Sequence, residues 1–181
     1  MQKINSLSLP IVRIEKIELI AFTSLFVALA VGLPQFTHQF NLAGPIFLPM
    51  HIFVLIAGLI FGWRTGLIVG LFTPLVSFAT SGMPMLAVLP QITAELTFYG
   101  LLAGIFREKL NLNIYLSLIF SMIIGRLGLI AALTLFSSGQ LNPFISVWLA
   151  TKIAWPGILI QLSLVPIMAI WIKKFVEKGN Q

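Results

Sequence analysis

Long apolar segments alternate with short polar or proline-containing breaks along the whole chain. The longer segments approach the roughly 20 apolar residues that an α-helix needs to cross a bilayer. This pattern predicts an all-α, six-transmembrane-helix bundle, and no stretch is long or polar enough to form a second domain, so residues 1–181 are expected to form one membrane domain. We place the helices at about 17–33, 50–61, 65–79, 86–106 and 114–136, with a last helix that follows Pro143 and ends near 172.

Proline and glycine positions refine these boundaries. Pro34 is expected to end the first helix, because proline removes a hydrogen bond from the helical ladder. The stretch from Pro34 to Pro49 is then a loop of about 15 residues, a length typical of lids and binding loops. Pro156 beside Gly157 predicts a kink or break in the last helix. Glycines recur every four residues from Gly58 to Gly70, which favours close approach of helix backbones.

Composition and charge support a membrane protein. The chain is 59% hydrophobic and 9% charged, with a mean hydropathy of +1.04, whereas soluble domains carry about 25% charged residues. Nine of the eleven Lys and Arg residues lie at alternate breaks, as expected for cytoplasmic loops. This distribution explains the net charge of +6 without a nucleic-acid partner.

The same charge distribution predicts an orientation. Both termini are expected in the cytoplasm, as an N-terminal segment (1–16) and a tail (173–181), and the long loop after the first helix is expected outside. A cleavable signal peptide fits the N-terminus loosely. Five further apolar segments favour an uncleaved first helix instead.

Missing residue types exclude several functions. The chain has no Cys and no Asp, and it contains neither a P-loop motif nor an HExxH motif. Thiolate metal sites and disulfides are therefore excluded, and so is ATP hydrolysis by a P-loop. We expect neither an enzyme nor a bound cofactor or metal.

Three charged residues lie inside apolar segments, where no loop explains them. Glu95 and Arg126 are both expected near the bilayer midplane, and intramembrane charges usually pair or line a functional site. They could form a structural ion pair, face a ligand, or do both. Lys152 is expected in the outer leaflet, where it could snorkel to water or contact a ligand.

Other polar and aromatic residues share the outer half of the predicted bundle. Gln91 lies one turn before Glu95 on the same helix face, and His51 opens the second helix as either a packing residue or a ligand contact. The pattern indicates a small pocket open to the outside. The candidate substrate-binding residues are His51, Gln91, Glu95, Arg126, Lys152, Trp155 and Gln161.

Three sequence runs resemble the substrate-binding S components of energy-coupling factor (ECF) vitamin transporters. They are GPIFLPMHIFVLIAGLIFGWRTGLIVG (Gly44–Gly70), SGMP (Ser81–Pro84) and ELTFYGLLAG (Glu95–Gly104), and the resemblance extends over about Leu19–Lys174. It implies a multi-pass protein of the bacterial cytoplasmic membrane that binds its vitamin from outside. It also implies a scaffold membrane subunit and two ATPase subunits as partners.

The resemblance further implies a docking surface on the first helix. The Ala-x-x-x-Ala motif of the family falls at Ser24 and Ala28, with Gly32 one turn on. Serine replaces the first alanine, so the register of the motif is open. Small residues at this spacing also occur in any tight helix pair.

The ligand and two competing functions stay open. Arg126 and Lys152 slightly favour an anion such as pantothenate, since arginine presents a planar fork to carboxylates. If Glu95 neutralises Arg126, a neutral heterocycle such as pyridoxine or hydroxymethylpyrimidine fits better, and a larger corrinoid-related ligand is a third choice. The competing functions are a stand-alone channel or oligomeric transporter and, less favoured, an intramembrane enzyme.

Overall fold

All the regular secondary structure in the described part of the chain is helical. The computed structural model describes residues 16–39, 48–136 and 142–179, and it contains no strand over these residues. The predicted all-α class is therefore confirmed. The N-terminal segment before Lys16 and the end of the tail lie outside the described residues. The helices are α1 (Lys16–Gln39), α2 (Pro49–Phe61), α3 (Trp63–Ser81), α4 (Leu89–Glu108), α5 (Ile114–Phe136), α6 (Pro143–Ile153) and α7 (Trp155–Gly179).

The last predicted helix is broken into α6 and α7. The break is at Ala154, and Trp155 and Pro156 open the next helix, where a proline costs no hydrogen bond. The start of α6 is capped by Asn142, whose side chain accepts a hydrogen bond of 3.0 Å from the backbone N–H of Phe144. The predicted interruption is thus confirmed.

The first helix does not end at Pro34, contrary to the prediction. It continues to Gln39 with Pro34 inside it. A proline in an apolar helix is tolerated where neighbouring helices hold the chain. Here Pro34 is buried, and Gln35 Nε2 donates a 3.2 Å hydrogen bond to Thr80 Oγ1 on α3. The predicted long loop is correspondingly shorter, and its residues 40–47 lie outside the described part.

Within the described residues, three helical stretches are long and apolar enough to cross a membrane. They are Ile17–Gln35, Ile114–Leu135 and Trp155–Val176. Together with the composition, they indicate an all-helical integral membrane protein.

The short helix α2 is the centre of the bundle. Of its 13 residues, all but Met50 and Phe53 are buried, as expected for a helix that is apolar on every side. It packs against α1, α3, α4 and α7. The ring of Phe61 stacks on Phe22 of α1, with 4.7 Å between the ring centroids.

Glycines bring the backbones of α2, α3 and α4 into direct contact. A Cβ added to Gly58 or Gly66 would overlap the carbonyl oxygen of Gly100, and one added to Gly100 would overlap the carbonyl oxygen of Gly66. Between α2 and α3, Gly62 adopts φ 88°, a conformation that side chains disfavour. These contacts fix α4 against the α2–α3 hairpin and so set the position of the polar residues on α4.

Candidate functional site

A cavity of about 900 Å³ lies at the end of the bundle that carries the α1–α2, α3–α4 and α5–α6 connections. Its volume is in the range of small-molecule sites, about 300–1,000 Å³. The walls come from the end of α1, the start of α2, the end of α3, the first half of α4, the second half of α5, and α6. Described residues on the helices that flank the breaks predicted to lie outside therefore surround one cavity.

Three side chains from three helices form the charged part of the cavity wall. Glu95 Oε1 on α4 lies 2.9 Å from Arg126 Nη1 on α5 and 3.7 Å from Nε2 of His51 on α2. Glu95 and His51 are each only 5% exposed. The two charges expected at similar depth thus form a buried ion pair, and both line the cavity.

Local packing holds these side chains in place. The ring of Tyr99, one turn after Glu95, meets the His51 ring edge-on with 5.3 Å between centroids. Tyr99 can lie against α5 because Gly125 has no side chain, since an added Cβ there would overlap the ring. The neighbour of Gly125 is Arg126, so this glycine allows α5 to place its arginine beside Glu95.

Several polar atoms of this group have no hydrogen-bond partner among the described residues. They are both ring nitrogens of His51, Nη2 of Arg126 and Oε1 of Glu95, whose approach to Arg126 is close but not aligned as a hydrogen bond. Buried polar atoms are normally hydrogen-bonded, because leaving one unsatisfied costs about 1–3 kcal/mol. All three residues belong to the cavity wall, so buried donors and acceptors lie beside the cavity, which suits a polar ligand.

The remaining wall is mostly apolar with a few neutral polar groups. Leu48, Met50, Ile92 and Leu129 are among the apolar lining residues. The neutral polar lining residues are Gln35, Ser77, Ser81, Gln91 and Ser146. Of these, Gln91 was predicted as a site residue. Ser77 and Ser146 carry no sequence signal that separates them from ordinary helix-packing serines.

Three predicted site residues do not line this cavity. Lys152 is exposed, and its Nζ lies 5.2 Å from the centroid of the Trp148 ring. Trp155 is 59% exposed on α7. Gln161 is fully buried, and neither polar atom of its amide has a hydrogen-bond partner in the described part of the chain. A role for these three in ligand binding stays a prediction.

The predicted docking residues lie on an open face of α1. Ser24, Ala28 and Gly32 are all exposed, and a Cβ added to Gly32 would meet no atom within 4 Å. No helix of the described bundle covers them.

The opposite end of the bundle is held together by hydrogen bonds and a cation–π contact. Arg107 is buried, and its Nη1 donates a 2.6 Å hydrogen bond to the carbonyl oxygen of Leu112. The carboxylate of Glu108 accepts a 3.3 Å hydrogen bond from the backbone N–H of Trp63, and Arg64 lies over the Trp63 ring at 5.2 Å. These contacts close the α2–α3 and α4–α5 turns. Over the described residues, no group of three or more His, Cys, Asp or Glu side chains could hold a metal ion.

The chain matches the model of a known protein family. The family model for the substrate-specific component of ECF transporters matches residues 18–172. No curated protein matched the chain, and no solved structure did. The matched range includes every residue of the charged group in the cavity.

Proposed function

Because this chain belongs to the family of ECF transporter substrate-specific components, we propose that it binds a small water-soluble vitamin or vitamin precursor for an ATP-driven importer. The observation that carries the proposal is the cavity of about 900 Å³ with Glu95, Arg126 and His51 in its wall. Charged side chains inside a membrane bundle are energetically costly, so they usually mark a functional site. The family is a transport family, in keeping with the absence of nucleotide-hydrolysis motifs from the sequence.

The proposed orientation follows from the charges. Six spans, with α6 and α7 together forming the sixth, place both termini on the same side. Basic residues occur at both termini, at Arg64 and in the turn Arg107–Lys109. They favour the cytoplasmic side for the end of the bundle that carries the termini. The cavity then opens outside the bacterial cytoplasmic membrane, where a ligand would enter.

The proposed energy source is a set of partner subunits. The chain has no ATP-binding motif, so a scaffold membrane subunit and two ATPases would supply the hydrolysis. The exposed small residues Ser24, Ala28 and Gly32 support α1 as the docking helix, because small residues let two helix backbones approach closely.

The docking proposal is tested by a bulky side chain on this face. Ala28→Trp should abolish co-purification with the scaffold and ATPase subunits while leaving ligand binding intact. Ile167→Trp is the matched control, since Ile167 is an exposed apolar residue on α7. Normal co-purification of Ala28→Trp would refute α1 as the docking helix.

The binding proposal is tested by the small molecules that the protein carries through purification. Mass spectrometry of the denatured protein should detect a vitamin-sized compound, and Arg126→Ala should abolish its retention. A protein that releases no such compound, and whose thermal stability no vitamin raises, would count against the function. Uptake into vesicles by this chain alone would favour a stand-alone transporter instead.

A further inference from the structure

The charged group of the cavity restricts the ligand that this protein can take. We propose that the cavity selects a ligand of zero net charge over an anionic ligand. This inference rests on the proposed function and narrows its substrate class.

The charges around the cavity sum to zero. Among its lining residues in the described part of the chain, Glu95 and Arg126 are the only Asp, Glu, Lys or Arg side chains. The stretches that link α1 to α2 and α5 to α6 along the chain, 40–47 and 137–141, contain no ionisable residue in their sequence. The last residues of α1, whose side chains are not described, include His38 but no permanently charged residue. With neutral imidazoles, one carboxylate and one guanidinium therefore cancel.

Lys152 does not change this sum. It is the cationic residue of α6, and it directly precedes Ile153 of the cavity wall. Its side chain is exposed, and its Nζ lies over the ring of Trp148, which is 62% exposed. A cation over an indole face is held there by the ring quadrupole. The ammonium group is thus stabilised outside the cavity.

An anion would enter a site where the guanidinium of Arg126 is already paired with the carboxylate of Glu95. Arg126 Nη1 is 2.9 Å from Glu95 Oε1, so a ligand carboxylate beside Arg126 would also lie close to Glu95. The walls are largely apolar, and charge repulsion is weakly screened in such surroundings. A neutral ligand meets the same atoms without adding charge to the site.

Polar groups beside the cavity can bind such a ligand without a net charge on it. Buried donors and acceptors of Arg126, Glu95 and His51, three residues of the cavity wall, have no hydrogen-bond partner among the described residues. Amino-substituted or hydroxyl-substituted nitrogen heterocycles carry uncharged donors and acceptors, and the apolar wall at Met50, Ile92 and Leu129 suits a flat ring.

The test compares pairs of ligands that differ in one group, a hydroxymethyl in the neutral member and a carboxylate in the anionic member. Binding of pyridoxine and 4-pyridoxate, and of pantothenol and pantothenate, is measured by calorimetry on purified protein at pH 8. The same measurements are made on Glu95→Gln, which leaves Arg126 without its counter-charge. Glu108→Gln is the matched control, because it makes the same change on the same helix at the other end of the bundle.

The expected result is a charge preference that Glu95 sets. The neutral member of a pair should bind at least about tenfold more tightly to the wild type, and Glu95→Gln should shift that ratio by about tenfold towards the carboxylate. Glu108→Gln should keep the wild-type ratio. The compound released from the purified wild type should be neutral or zwitterionic.

Two results would overturn the inference while supporting the proposed function. One is a wild type that binds a carboxylate as tightly as its neutral counterpart, or that releases an anion on denaturation. The other is a folded Glu95→Gln variant with an unchanged ratio. If Glu95→Gln does not fold, the wild-type ratio and the released compound decide. A wild type that binds no probe and releases no compound contradicts the proposed function, and the inference with it.

Discussion

Removing the cation of the buried ion pair should destabilise the protein strongly. In Arg126→Met, the carboxyl group of Glu95 stays buried at 5% exposure and loses the guanidinium that lies 2.9 Å away. Removing one partner of a buried pair costs about 3–5 kcal/mol of unfolding free energy. For a chain of this size, about 2–4 °C of Tm per kcal/mol gives a fall in Tm of roughly 6–20 °C.

A double-mutant cycle separates this effect from lost packing. Glu95→Gln removes the charge that Arg126→Met leaves behind, so the double variant should regain much of the lost Tm. The coupling energy between the two sites should lie in the range of about 0.5–3 kcal/mol found for contacting residues. The assay is ligand-free thermal unfolding in detergent, followed by the fluorescence of the four tryptophans.

Arg64→Met is the matched control for the loss of an arginine. Arg64 is exposed and contacts the Trp63 ring at 5.2 Å, a cation–π contact worth about 0.5–1 kcal/mol at such a site. If Arg126→Met costs no more than Arg64→Met, or if the two single costs simply add in the double variant, the ion pair does not carry the stability assigned to it.

Three further predictions concern packing, and thermal unfolding tests each. Gly66→Ala should lower the free energy of unfolding by about 1–3 kcal/mol, because its Cβ would overlap the carbonyl oxygen of Gly100. In the control Gly32→Ala, stability should be unchanged or higher by up to about 1 kcal/mol. Equal effects of the two substitutions would contradict the direct backbone contact. Gln161→Leu should leave stability unchanged or raise it, since it removes a buried amide without hydrogen-bond partners, and a large loss would reveal a partner for that amide. Asn142→Ala should cost about 0.5–2 kcal/mol by removing the cap of α6, and an unchanged Tm would show that the cap does not stabilise α6.

Much of the fold can be predicted from the apolar pattern, because each helix needs a continuous apolar run between polar breaks. The prediction failed at Pro34, where α1 continues to Gln39. The effect of a proline depends on the neighbours that hold the helix, and the hydrogen bond from Gln35 to Thr80 joins residues 45 positions apart. Such a contact has no local signal in the sequence.

Site residues could be predicted only where a charged side chain lies within an apolar segment, since burying a charge there costs free energy. Glu95 and Arg126 stand out for that reason, and both line the cavity. Lys152 and Trp155 were placed by depth alone, which does not tell which side of the helix they occupy. A membrane helix is apolar towards lipid as well as towards its neighbours, so the usual amphipathic pattern is missing. On α6, Val147 is the only buried residue, and nothing in its sequence neighbours distinguishes that face.

The contact between Gly66 and Gly100 sets the spacing of two helices independently of the side chains that would select the ligand. Since two main chains meet there without side chains between them, the spacing of α3 and α4 does not depend on which residues face the cavity. Gln91 and Ile92, which do face it, can therefore be exchanged for other side chains of similar size while the helices keep their distance. The same scaffold could in this way be re-engineered, position by position, to accept a different nutrient without being rebuilt.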